Sequence, residues 1–164
     1  YSYDTAQASF EILARRELGQ MPDFFEVKRY RVTVERRKNK YNKMVSLSEA
    51  VVVVKVGDEK RLSVSESMDE TGSDRGPVNA LAKALAKDLG QYQDMIADMR
   101  LVDFKVRITQ GGTEAVTRVV IDSEDAQGRR WATVGVSPNI VDASFEALIE
   151  AMQWKILHDT QKGA

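Results

Sequence analysis

The sequence predicts an α+β protein made of two β-β-β-α units related by a pseudo-two-fold axis and preceded by a short helix. Three observations carry this expectation. The first is a repeated helix start: Val78-Asn79-Ala80-Leu81-Ala82-Lys83-Ala84-Leu85 is echoed by Val141-Asp142-Ala143-Ser144-Phe145-Glu146-Ala147-Leu148. In each case a Pro stands just ahead, at Pro77 and Pro138, where its missing N–H is one the first helical turn could not use. The second is alternation of apolar and polar residues in the runs before each junction, as in half-buried strands. The third is Gly-centred punctuation between those runs. Together they read as an internal duplication.

Taken in order, residues 4–18 predict a helix. Asp4 is placed to cap it, Ala6, Phe10, Leu13 and Ala14 recur at helical spacing, and Gly19 ends it. Residues 27–38 alternate, with Tyr30, Val32 and Val34 on one side, and Arg36–Lys40 form a charged turn. Residues 44–56 make the next strand, whose unbroken Val51-Val52-Val53-Val54 predicts burial on both faces. Gly57-Asp58-Glu59 turns the chain into a strand at 60–68, where Leu62, Val64 and Met68 share a face. The helix from Pro77 to about Leu89 then presents Val78, Leu81, Leu85 and Leu89 inward. A connector spans 90–99, Asp- and Gln-rich and including a helical turn.

The second unit repeats the order. A strand over 101–109 has Phe104, Val106 and Ile108 on one face, Gly111-Gly112 makes a hairpin, and strands follow at 113–122 and 130–136. Ser137 is expected to cap the closing helix, with Val141, Phe145, Leu148, Ile149, Met152 and Ile156 as its buried stripe. The domain reading is a linker end at 1–24 and a main body at 25–164, divided into units 25–90 and 99–158. One helix covers only part of a three-stranded sheet, so packing against further surface and a second chain is expected.

Composition excludes several function classes. The chain of 164 residues is 43% apolar and 30% charged, and its 24 basic and 25 acidic residues leave a net charge of −1. That balance argues against nucleic acid or an anionic membrane as the main partner. There is no cysteine, hence no disulfide, thiolate nucleophile or Cys-zinc site. No run approaches the roughly 20 apolar residues of a membrane span, and no signal peptide is visible, so the expected location is the cytoplasm. The one histidine, His158, reads as a surface residue near a helix end. The acidic cluster Asp122-Ser123-Glu124-Asp125 reads as a solvated turn without calcium-loop spacing. No metal site and no catalytic residue is expected.

Two binding readings remain open at this level. The basic segment Lys28, Arg29, Arg31, Arg36, Arg37, Lys38, Lys40 and Lys43, within an α-β-β-β-α order, fits an RNA-binding module, although the phosphate-holding lysines expected at the start of its closing helix are absent. The same run also fits the solvated outer face of a sheet. The two Pro-led helix starts offer free N–H groups that could hold a carboxylate, with Val78, Leu101, Phe104, Ile108 and Ile140 suited to an aliphatic group. They can equally be well-made helix starts and nothing more.

Four stretches shift the balance toward the amino-acid reading, with the RNA-binding module kept as the alternative. Gly76-Pro77-Val78-Asn79-Ala80-Leu81, Leu101–Ile108, Gly112-Thr113-Glu114-Ala115 and Trp131–Ile140 resemble, in the same order, the C-terminal regulatory domain of the 2-isopropylmalate synthase and citramalate synthase family. Asp4–Arg16 and Phe24-Phe25 are most similar to the citramalate synthase branch. The resemblance implies an allosteric, dimer-forming domain of two β-β-β-α units that binds leucine or isoleucine between them for feedback inhibition. It implies effector contacts from Gly76, Val78, Asn79, Leu101, Phe104, Ile108, Thr113, Pro138 and Ile140. It also implies an upstream catalytic barrel in the parent enzyme using a divalent metal and acetyl-CoA, with no cofactor bound by this stretch itself.

Overall fold

The computed structural model describes residues 6–69, 75–111 and 114–162. They divide into two compact units, one comprising residues 24–93 and the other 1–23 together with 94–164.

In the first unit, β1 (Glu26–Lys38), β2 (Met44–Val56) and β3 (Glu59–Asp69) form an antiparallel sheet in the order β1-β2-β3, followed by α2 (Arg75–Lys87). The turns match their residues. Asn39 Oδ1 accepts from the N–H groups of Tyr41 (2.9 Å) and Lys43 (3.0 Å), and Gly57 takes φ +61° between β2 and β3. Register places Tyr30, Val32 and Val34 opposite Val52, Ala50 and Ser48, so the expected alternation holds. The run Val51–Val54 is buried throughout, at 9% exposure or less. Helix α2 lies on β2 and β3 with Val78, Leu81 and Leu85 inward, and Leu89 is buried just past its end. It starts two residues before Pro77, which leaves the proline inside the first turn. On β3 the sheet side facing Val52 and Ala50 carries Ser63 and Ser65. Leu62, Val64 and Met68 share the opposite side and remain exposed. After α2, a 3₁₀ turn (Gly90–Tyr92) and the one-turn α3 (Gln93–Ile96) form the connector.

The second unit has β4 (Arg100–Gly111), β5 (Glu114–Glu124) and β6 (Arg130–Ser137) in the order β4-β5-β6, followed by α4 (Ile140–Lys162). Gly135 lets β6 and α4 approach closely: a Cβ there would lie 1.8 Å from the carbonyl oxygen of Ala143. Phe145, Leu148, Met152 and Ile156 are buried as the helical spacing predicts, while Val141 and Ile149 are half-buried. The cap of α4 is Asn139, not Ser137. Asn139 Oδ1 accepts from the N–H groups of Val141 (2.8 Å) and Asp142 (3.2 Å), while Ser137 Oγ accepts only from Asn139 N–H (3.2 Å). Pro138 therefore precedes the cap.

The helix α1 (Gln7–Glu17) belongs to this second unit and packs on β6 and α4. It begins later than expected, with Ala6 at the cap position and no side-chain cap bond. Asp4 lies outside the described residues. Its buried face is Ala8, Ser9 and Ile12, whereas Phe10 and Leu13 are 52% and 44% exposed. Of the expected stripe, Ala6 is buried and Ala14 half-buried, while Phe10 and Leu13 lie outside the covered face.

Two other expectations are corrected here. The acidic turn is not solvated: Asp125 is buried and accepts from Gln127 N–H (3.1 Å), Arg129 N–H (3.0 Å) and Arg129 Nε–H (2.9 Å). Nor is His158 a simple surface residue. Its Nε2 lies 2.7 Å from Glu11 Oε2, and its ring packs on Trp154 with centroids 4.0 Å apart.

Candidate functional site

An α-helix is about 10–12 Å wide with its side chains, while strands are spaced about 4.8 Å apart. One helix therefore covers about two strands. Helix α4 lies mainly over β5 and β6, and α2 mainly over β2 and β3, so the first strand of each sheet keeps the apolar strip that its helix covers least. On β4 that strip is Leu101, Phe104, Val106 and Ile108. Leu101 shares a face with Phe104 only because a bulge at Val102 shifts the register: Leu101 pairs with Ser123, Phe104 with Ile121 and Ile108 with Thr117. Those β5 partners are buried beneath α4, whereas Leu101 and Phe104 are half-buried and Ile108 is 62% exposed.

The remaining sequence-named residues are placed as follows. Gly76 is buried in the first turn of α2, Val78 is on its inward face at 3% exposure, and Asn79 is exposed. Pro138 is exposed and Ile140 half-buried where β6 passes into α4. Thr113 lies outside the described residues. Leu101, Phe104 and Ile108 thus form one surface of the second unit, and Pro138 with Ile140 marks that unit's helix start. Gly76, Val78 and Asn79 belong to the first unit.

Sequence reasoning missed Ser48. A Cβ on Gly76 would lie 3.1 Å from Ser48 Oγ, so the glycine eases the fit of that hydroxyl beside the α2 start. Ser48 is 1% exposed, and its Oγ has no hydrogen-bond partner among the described residues. A buried, unpaired hydroxyl costs about 1–3 kcal/mol. Beside a helix N-terminus, where N–H groups and the helix dipole favour negative charge, it is a donor without an acceptor among the described residues. No sequence signal marks it, since a serine in a strand is ordinary.

A second polar cluster was also missed, on β6. Val134 N–H donates to Ser9 Oγ (2.8 Å), and Ser9 in turn donates to Glu150. Burial raises the Glu150 carboxyl above the ordinary glutamate range, against the opposing pull of Ser9 and Arg16. Burial raises Glu146 likewise, against Val136 N–H and Arg16. Nearby, Gln7, Ala8, Glu11, Arg130, Trp131, Ala132 and Trp154 line a cleft of about 280 Å³.

The described residues hold no group of three or more His, Cys, Asp or Glu side chains able to bind a metal ion. No helix among them is long and apolar enough to cross a membrane. The basic residues of β1 and its turn are exposed.

Comparison with known proteins gives one answer along nearly the whole chain. Residues 4–156 match the family described as the LeuA allosteric (dimerisation) domain. The chain is 40% identical to the (R)-citramalate synthase of Geobacter sulfurreducens and 37% identical to that of Aquifex aeolicus. Each match covers 99% of this chain and 29% of the relative. It is 31% identical to the 2-isopropylmalate synthase of Pseudoalteromonas atlantica, over 93% of the chain and 28% of that protein. The chain thus spans under a third of the length of these curated relatives.

Proposed function

The chain belongs to the LeuA allosteric (dimerisation) domain family, and from that membership we propose that it is the feedback-regulatory module of a citramalate or 2-isopropylmalate synthase. The observation that carries this reading is the family match over residues 4–156, together with 37–40% identity to citramalate synthases. The effector is a branched-chain amino acid, leucine or isoleucine. The parent enzyme condenses acetyl-CoA with a 2-oxo acid, and the divalent metal and acetyl-CoA belong to a catalytic domain outside this chain.

The local chemistry supports an amino-acid effector on each unit separately. At the α2 start, the positive end of the helix dipole beside the Ser48 hydroxyl, which has no partner among the described residues, suits a carboxylate. On the second unit, the uncovered Leu101-Phe104-Ile108 strip suits an aliphatic side chain. The nine residues named from the sequence remain the proposed contacts. Dimerisation through this domain would place two copies of the module in one enzyme, and effector binding would bias the enzyme by the usual allosteric coupling of about 1–3 kcal/mol.

Competition calorimetry with leucine and isoleucine on this chain tests the proposal, with sedimentation velocity to read its association state. Saturable heat from either amino acid, on a dimeric chain, is the expected result. No heat from either amino acid would overturn the effector assignment. A monomer at tens of micromolar would overturn the dimer.

A further inference from the structure

At Val134 the outer edge of β6 gives its backbone N–H to a side chain in place of a further strand. Val134 pairs with Val120 on β5, yet its N–H is given to Ser9 on α1. Two residues on, Val136 has the same orientation in the strand, and its N–H is close enough to the Glu146 carboxylate of α4 to lower that group's pKa. Ser9 also donates to Glu150 on α4, and Arg16 reaches Gln153 (2.9 Å) and Glu150 (3.9 Å). A single buried hydroxyl therefore joins α1, β6 and α4. From Val134 the chain runs through Gly135, pressed against Ala143 of α4, to Pro138 and Ile140. The Pro138–Ile140 junction joins β6 directly to α4, which are in close contact at Gly135, and Ser9 bonds to both elements.

We propose that Ser9 is a clasp: it holds α1 docked on β6 and α4, and it carries the state of the β6–α4 junction to α1. The clasp itself stands on the geometry alone, and its link to an effector rests on the functional reading above. Ser9 is a positioning residue in this scheme and touches no ligand. Its predicted partner is the rest of its own chain, through α1.

The test is hydrogen exchange, comparing peptides from residues 7–17 with peptides from 143–157, on this chain and its Ser9→Ala and Ser9→Thr variants. The fluorescence of Trp131 and Trp154, which line the cleft beside α1, provides a second readout. Without ligand, Ser9→Ala should speed exchange across 7–17 about tenfold, leave 143–157 within about twofold, and change the tryptophan emission. Ser9→Thr, which keeps the hydroxyl, should restore most of the protection. If Ser9→Ala leaves 7–17 within twofold of the unmodified chain, the clasp is wrong whether or not any amino acid binds. With saturating leucine or isoleucine, exchange across 7–17 should change in the unmodified chain and stay fixed in Ser9→Ala, whose affinity should remain within about threefold. Binding without any change at 7–17 would overturn the coupling and leave the effector reading standing. Absence of binding would overturn the effector reading and the coupling together, while the ligand-free comparison still decides the clasp.

Discussion

Replacing Lys155 with Met should damage the second unit more than a typical point substitution. Lys155 is a lysine with only 2% of its side chain exposed, and its ammonium lies 3.3 Å from Asp98, 3.6 Å from Asp125 and in closer contact with Asp159. Arg129 supplies the other cation, 2.8 Å from Asp125 and 2.6 Å from Asp159. Burial alone would lower the lysine pKa, but Asp159 and Asp98 outweigh it and hold it above the ordinary value. Burial would raise Asp125 and Asp159. For Asp125 the backbone N–H and guanidinium of Arg129 prevail instead, and for Asp159 the Lys155 ammonium and the Arg129 guanidinium, holding both below the ordinary aspartate range. Lys155→Met keeps much of the stem volume and leaves three carboxylates facing one guanidinium. Breaking a buried pair costs about 3–5 kcal/mol. Since Asp98 and Asp159 retain 30% and 20% exposure, water offsets part of this, and the lower end, about 3 kcal/mol, is expected. At about 2–4 °C per kcal/mol for a chain of this size, the midpoint should fall by roughly 6–12 °C. Both tryptophans are in this unit, so their emission during thermal or urea unfolding follows it selectively.

The pH dependence fixes the sign. Asp125 and Asp159 titrate lower in the folded state than in the unfolded chain, so their contribution is complete above the unfolded value of about 3.9 and is lost as pH falls through the depressed folded values. Lys155→Met weakens that depression. The stability gap between the two proteins should therefore be widest near neutrality and narrow below about pH 4. A gap under 1 kcal/mol at pH 7, or one of unchanged size at pH 3, would refute the reasoning.

Four further outcomes follow from the geometry. Gly135→Ala should destabilise by at least the 1–3 kcal/mol typical of overpacking, because the obstacle at 1.8 Å is backbone; urea midpoints measure it. Asn139→Ala should cost about 1 kcal/mol through the lost cap, and Ser137→Ala much less, a contrast that thermal unfolding can read. Phe104→Ala should leave stability within about 1 kcal/mol, the side chain being only half-buried, while weakening leucine or isoleucine binding about tenfold, or 1.4 kcal/mol; unchanged affinity in calorimetry would show that the β4 strip is not part of the site. Ser48→Ala should be neutral or stabilising without ligand, since it removes an unpaired buried hydroxyl, and should still lower affinity; a loss of stability with no change in binding would contradict a role for Ser48 at the α2 start.

The candidate site was legible where it depends on local chain grammar. The helix starts, the strand face of Phe104, Val106 and Ile108, and the glycines are all written in periodicity and turn residues. What was illegible depends on register and on partners distant in sequence. The bulge that brings Leu101 onto the face of Phe104 leaves no local mark. Ser137 and Asn139 are both good caps, and only the path of β6 into α4 decides between them.

The sequence by itself determined the two β-β-β-α units, their inward helix stripes, the double-sided burial of Val51–Val54 and the family. These follow from short-range spacing, which a linear chain displays directly. Only the tertiary structure decided which acids are buried, which face of α1 is covered, and where Ser9, Ser48 and His158 find or lack partners. Ser9 bonds with residues 125 and 141 positions away, and His158 meets Glu11 across 147. A side chain's charge or hydroxyl is fixed by its identity, but whether it is buried, paired or left as a free donor depends on which distant segments the fold brings beside it.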